Sequence, residues 1–279
     1  MKLPPKEKRN LEQIKEHYEI ERQLSDILRK ANQKERGSLY NSLYDELFRR
    51  VPHHPQLKRK GDSGLNEKLI NQKLALINRF LKPESVFMEI GAGDCSLSIK
   101  VAEGIKKVYA LDVSKEIAGG KILPGNCELI ISDGCSIPVP EKSIDIAYSH
   151  QLMEHLHPDD SKIQLAKIYN ALADKGKYIC ITPSRICGPH DISKYFDEVA
   201  TGFHLKEYTY VELSELFKNA GFSKIGAFIG GRGKYFKFPI SLIILSEKIL
   251  SVVPNFLRKK IVKSFAFKAL LGVNIIGTK

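Results

Sequence analysis

Cysteine is scarce in this chain and nothing pairs it. The five cysteines (Cys95, Cys127, Cys135, Cys180 and Cys187) are odd in number, scattered, and include no Cys-x-x-Cys pair. Neither a disulfide framework nor a zinc site is suggested, and a reducing cytoplasm is the expected setting. Long apolar runs are missing too. The longest uncharged one, residues 238–246, is far shorter than the roughly 20 residues that span a bilayer. No apolar stretch follows the first residues, so no signal peptide is expected. There is no internal repeat and no low-complexity segment.

What is present suits a packed globular core. Of 279 residues, 43% are hydrophobic and 27% charged. The net charge of +12 is uneven. Residues 1–60 hold 15 Lys/Arg against 9 Asp/Glu (+6), residues 61–229 hold 19 against 22 (−3), and residues 230–279 hold 10 against 1 (+9). The basic character sits at the two ends, which argues for charged surfaces attached to a catalytic unit.

Apolar spacing at Leu11, Ile14, Tyr18, Leu24, Ile27 and Leu28 predicts a helix over 6–36 that stops at Gly37. A second helix is expected over 39–50, a basic loop with Gly61 and Gly64 after it, and a third helix over 66–81. From Val86 onward strands and helices alternate. Strands are expected at 86–90, 107–112, 127–131, 144–148, 178–181, 222–229 and 273–276. Helices are expected at 96–103, near Lys115, at 159–172 and at 210–219. Such alternation gives an α/β fold with a mostly parallel sheet covered on both faces.

The sharpest motif is Glu89-x-Gly91-Ala92-Gly93-Asp94-Cys95, which follows a strand and opens a helix. Glycines there let the backbone approach a ligand at the carboxyl end of the first strand. Asp112 ends the second strand, where an acid can bind ribose hydroxyls. Asp133-Gly134 ends the third, where a carboxylate can accept from an adenine amino group. Ser149-His150 ends the fourth, beside the same crevice. A dinucleotide would want glycine where Ser96 stands and no carboxylates near its pyrophosphate. Glu89 and Asp94 instead suit a cationic, phosphate-free nucleoside, S-adenosylmethionine (SAM), over NAD.

At these residues the chain resembles the class I SAM-dependent methyltransferases, from about Val86 to Ile229. Glu89-x-Gly91-x-Gly93 is similar to their first motif, Asp112 to the ribose-binding acid and Asp133 to the adenine-binding one. Residues 149–156 resemble the segment after strand four, and residues 206–222 the late helix-turn-strand. Cys95 stands where many members have a third glycine. The resemblance implies a Rossmann-like sheet of seven mostly parallel strands, with helices on both faces. It implies SAM as cofactor, held by Glu89, Gly91, Ala92, Gly93, Asp112, Val113, Asp133, Gly134 and Ser149. The last strand follows the sixth only after about 40 residues, so an insertion is implied. The expected layout is a helical extension (1–65), the SAM-binding core (66–235), a basic amphipathic helical insertion (236–271) and the last core strand (272–279).

Methyl transfer needs an aligned, desolvated acceptor, and a base if the acceptor is a hydroxyl or acidic carbon. His150, His190 and His204 are the candidates, the last two in the long loop after the fifth strand. Each has a structural alternative: His190 with Asp191 could simply shape a turn, and His204 could cap a helix. Glu154 and His155 are expected to be structural. His53 and His54, between prolines, are expected at the surface. No metal is expected. The insertion, with Leu257, Ile261 and Phe265 on one helix face and Arg258, Lys259, Lys260, Lys263 and Lys268 elsewhere, serves as a lid, a homodimer face or a peripheral membrane contact. Either of the lid or membrane versions suits a bulky or lipid-like acceptor. A small-molecule or lipid-like acceptor ranks ahead of RNA, because no RNA-binding module or Asn-Pro-Pro-Tyr-like motif is present. A non-catalytic binding module ranks behind both.

Overall fold

The structure, a computed structural model, describes residues 4, 7–55, 57, 63–114, 121–262, 264, 267 and 270–279. Helix α1 (Leu11–Lys30) begins at a capping box formed by Asn10 and Gln13, and α2 (Gln33–Arg50) at a second one formed by Asn32 and Glu35. That second box corrects the expected helix over 6–36. Asn32 starts a new helix, and Gly37 lies inside it instead of stopping the first. Helix α3 spans Ser63–Ile77.

The remaining elements are β1 (Val86–Ile90), α4 (Ser96–Ala102), β2 (Lys107–Asp112), β3 (Cys127–Ile131), β4 (Ile144–His150), α5 (Pro158–Ala171), β5 (Leu172–Thr182), α6 (Tyr210–Asn219), β6 (Lys224–Gly231), β7 (Lys234–Phe238), α7 (Ile240–Val252), α8 (Asn255–Ile261) and β8 (Val273–Thr278). The helix expected near Lys115, the loop around Gly61, and Lys263, Phe265 and Lys268 of the insertion lie outside the described residues.

The strands form one sheet in the order β3-β2-β1-β4-β5-β8-β6-β7. Strands β1 to β5 run parallel; β8 enters antiparallel between β5 and β6, and β7 pairs antiparallel with β6 at the edge. The expected count of seven is therefore corrected to eight. Arg232 (φ 54°) and Gly233 (φ 85°) make a two-residue hairpin turn, so Lys234–Phe238 returns as a strand where a helical insertion was expected to start.

The parallel strands are buried on both faces, which is why they read as continuous apolar runs. Met88, Ala147 and Cys180 point into the larger core with residues of α1, α2, α5 and α6. Phe87, Ile146, Tyr148 and Ile179 point into the opposite core with residues of α3 and α4. Helix α2 is fastened to the start of α5 by a buried ion pair. Arg36 Nε and Nη2 donate to Asp160 Oδ2 and Oδ1, both at 2.6 Å, and the Tyr40 hydroxyl donates to Oδ2 at 2.7 Å. This places α2 over the carboxyl ends of the strands.

Candidate active site

The turn after β1 is built on left-handed backbone, with Gly91 at φ 74°, Gly93 at 55° and Cys95 at 58°. The amides of Gly91 and Ala92 both donate to the Leu111 carbonyl, which ties the turn to β2. A Cβ on Gly91 would stand 3.2 Å from Leu152 Cδ1, so this position needs glycine for both conformation and space. Cys95 holds the left-handed conformation that a third glycine would hold.

Asp112 crosses from β2 to this turn. Its Oδ2 accepts the Gly93 amide at 2.7 Å and its Oδ1 the Ser114 amide at 3.1 Å. A cavity of about 70 Å³ lies beside it, lined by Gly91, Leu111, Asp112, Val113, Ser132 and Gly134 at the strand ends, and by Leu152, His155, Gln164, Tyr40 and Tyr44 from above. Four of the nine expected cofactor residues, Gly91, Asp112, Val113 and Gly134, line it. Gly93 joins through its bond to Asp112.

The others stand elsewhere. Glu89 is buried beneath the turn and accepts the Ser98 hydroxyl at 2.6 Å. Ala92 packs into a small cluster with Cys95 and Ala110. Asp133 is exposed and spends its oxygens on Cys135 N, Ser136 N and the Ser136 hydroxyl. Ser149 is fully buried and bonded to the Tyr178 hydroxyl at 2.7 Å, on the core side of β4. Asp94, expected to add negative charge at the ligand, pairs with Lys121 at 2.7 Å. The negative charge facing the cavity is thus carried by Asp112.

Burial pushes Glu89 up to about 7, against the opposing pull of Lys73 and the Ser98 hydroxyl. An acid whose pKa is raised on folding contributes stability that is full below its unfolded value and is lost as pH rises through its folded value. The window here is about pH 4.5 to 7. Glu89→Gln should therefore raise the ligand-free Tm at pH 8 and leave it little changed at pH 4.5. Thermal unfolding at both pH values checks this, and a wild-type advantage at pH 8 would contradict it.

Two larger cavities share lining residues with the first in series. One of about 300 Å³ shares Tyr44 and His155 with it and is also lined by Gln151, His190, Lys194, His204 and residues of α1. The other, of about 800 Å³, shares Gln151, His190 and Lys194 with the second. It is walled by β4 and β5 ends, residues 181–190, the β6–β7 turn, and Arg258, Val262 and residues 271–274. Gln151, at the junction of the two larger spaces, is held at φ 58°, a conformation that costs energy outside glycine.

The three candidate bases fall around these two spaces. His150 lines the 800 Å³ cavity, and burial followed by the Lys73 charge holds its pKa down at about 3. His190 is exposed and lines both, with Nε2 3.1 Å from the Ser184 carbonyl. His204 is buried and bonded through Nδ1 to Glu207 Oε1 at 2.7 Å. Glu207 Oε1 also accepts the His190 amide at 2.7 Å. A Cβ on Gly188 would lie 2.0 Å from Glu207 Oε2, so glycine there lets the carboxylate reach both histidines.

Sequence reasoning missed how far α1 builds this region. Glu21 accepts the Phe203 amide, Ser25 donates to the Thr201 carbonyl, and Arg29 donates to the carbonyls of Gly202, His204 and Leu205. His53 and His54, expected at the surface, are half-buried instead. His54 lines the 300 Å³ cavity with its ring 4.7 Å from that of His17.

Residues 88–180 match the family described as methyltransferase domain. A probable S-adenosylmethionine-dependent methyltransferase of Mycolicibacterium smegmatis is 26% identical over 51% of this chain. An uncharacterised methyltransferase of a Geobacillus species is 28% identical, also over 51% of this chain. The chain spans 55% of the length of the first and 71% of the second. Among solved structures, the Haloferax volcanii protein in complex with the Trm112 methyltransferase activator superposes with a TM-score of 0.53 at 15% identity, covering 77% of this chain and 91% of that one. That likeness concerns the fold. Residues 88–180 thus carry the match to a methyltransferase domain, and about half of the chain is similar to SAM-dependent methyltransferases.

Proposed function

We propose that the chain transfers a methyl group from SAM to a small-molecule or lipid-like acceptor held in the 800 Å³ cavity. The supporting observation is that three cavities, the first lined by Asp112 and the last of 800 Å³, share lining residues in series. SAM supplies a methyl carbon already activated by its positive sulfur. The chain's own work is to hold, align and dry.

The residues fit the cofactor chemically. Asp112 has a carboxylate at the cavity wall for two ribose hydroxyls, Gly91 leaves room for close approach, and Val113, Leu111 and Leu152 give apolar faces. The 70 Å³ space takes only part of a nucleoside, since small-molecule sites run to about 300–1,000 Å³. His190, which borders both acceptor spaces and is exposed, is positioned to take a proton from an acceptor hydroxyl.

A lipid-like acceptor is favoured by the insertion. Leu242, Leu245, Ile249 and Val252 form an exposed stripe on α7, and Phe256 and Leu257 extend it on α8. Ile243, Glu247 and Leu250 are the buried face, where Glu247 caps the first amides of α6. Lys237, Lys248 and Lys260 are exposed nearby in the chain. Apolar side chains flanked by cations suit a peripheral contact with an anionic lipid surface. Among the described residues no helix is long and apolar enough to cross a membrane.

The test is transfer of labelled methyl from SAM to fractionated metabolites, lipids and RNA. Label is expected in a small-molecule or lipid fraction. Label confined to RNA, or to none of the three, would overturn the reading.

A further inference from the structure

Beside the 300 Å³ cavity lies a cluster of one carboxylate and two imidazoles. One ligand atom each from Glu154, His155 and His204 lies within 4.8 Å of the others. Glu154 is fully buried, yet its Oε1 has no hydrogen-bond partner among the described residues. Its Oε2 is fixed by the Thr182 hydroxyl at 2.8 Å. An orphaned carboxylate oxygen in a dry interior is costly, so something of positive character is expected to face it.

Each histidine has its Nδ1 engaged on the far side. His155 Nδ1 is 3.1 Å from the Phe203 carbonyl and 2.6 Å from the Tyr44 hydroxyl, so Nε2 is the ring atom left to face Glu154. His204 Nδ1 is bonded to the Glu207 carboxylate, so Nε2 is the ring atom left for another partner. His155 Nε2 is 4.0 Å from Glu154 Oε1, and the two rings stand 4.9 Å apart and nearly perpendicular. Metal bonds of about 2 Å bring ligand atoms to about 3 Å from one another, so atoms now up to 4.8 Å apart need to close by up to about 2 Å. Each ligand already has the outer hydrogen bond that metal-binding histidines and carboxylates have.

A second group, His17, Glu21 and His54, lines the same cavity. There both nitrogens of His17 are engaged, Nδ1 by the Arg9 guanidinium and Nε2 by Glu21, each at 2.7 Å. The neighbouring guanidinium charge opposes a cation, so that group is structural.

We propose that Glu154 Oε1, His155 Nε2 and His204 Nε2 bind one divalent transition-metal ion. Two imidazoles and one carboxylate suit zinc, cobalt, manganese or iron in the divalent state. Three protein ligands leave coordination positions open, and both histidines line the 300 Å³ space, so an acceptor oxygen can complete the site there. Ion binding stands by itself; only the use of the open position by an acceptor rests on the proposed function.

Cobalt(II) titration of the metal-stripped full chain, read by visible absorption, tests the site. One equivalent is expected to bind the wild type and raise its Tm, with affinity at least tenfold weaker in Glu154→Gln and in His204→Ala. No stoichiometric binding by the wild type, or undiminished binding in both variants, would overturn the proposal. X-ray absorption on the zinc-loaded wild type gives the same answer without a variant. A shell of two imidazoles and one carboxylate is expected, and sulfur in the shell would refute it.

Discussion

Asp112→Ala is expected to weaken binding of S-adenosylhomocysteine by about 100-fold while the chain stays folded. The carboxylate accepts the amides of Gly93 and Ser114 and lines the cavity. Two hydrogen bonds from ribose hydroxyls to a charged acceptor are worth about 1.5–3 kcal/mol each, and a loss of about 3 kcal/mol is about 100-fold in affinity. Asp112→Asn keeps an acceptor for Gly93 but loses the charge, and should fall between the two. Calorimetry checks the series. Equal affinity in wild type and Asp112→Ala would show that the nucleoside sits elsewhere.

The largest effect on stability is expected at Arg36. Among the described residues, Arg36→Ala leaves the Asp160 carboxylate, 0% exposed, with only the Tyr40 hydroxyl bonded to it. Removing one partner of a buried pair costs about 3–5 kcal/mol, because the other charge stays buried. In a chain of this size that lowers Tm by about 10 °C. The double variant Arg36→Met with Asp160→Asn should recover part of the loss, since no charge is then stranded. Urea unfolding of the three forms measures it; a change under 1 kcal/mol in Arg36→Ala would mean that the pair does not hold α2 in place.

The parts of this fold that were legible in the sequence are those set by local pattern. The turn at Gly91 and Gly93 and the acid at the end of β2 follow from one strand, one turn and one spacing, and they stand together at the cavity. Asp133 and Ser149 were placed by analogy of position along their strands. Their side-chain directions depend on neighbours, and Cys135, Ser136 and Tyr178 claimed them first. The break between α1 and α2 was written in Asn32-x-x-Glu35, a capping box that the longer apolar period concealed. The turn of β7 was written in Arg232-Gly233, two residues able to take positive φ.

The site's upper wall was not legible in the same way. Tyr40 and Tyr44 stand on an N-terminal helix, where core packing and a wall of the site fit the sequence alike. Their place over Gly134 and beside His155 comes from Arg36 reaching Asp160, 124 positions away. Glu154 and His155 likewise read as structural, because the meeting with His204 depends on how α1 draws in the loop after β5. Contacts of such separation carry no periodic signal.

On the proposed function, the cavity at the ends of β1 to β3 takes the adenosyl group of SAM. Calorimetric titration of the wild-type chain with S-adenosylhomocysteine and, separately, with NAD tests it most directly. Saturable one-to-one binding of S-adenosylhomocysteine without comparable NAD binding is the predicted result. Absence of any S-adenosylhomocysteine binding, or NAD binding at least as tight, would contradict it.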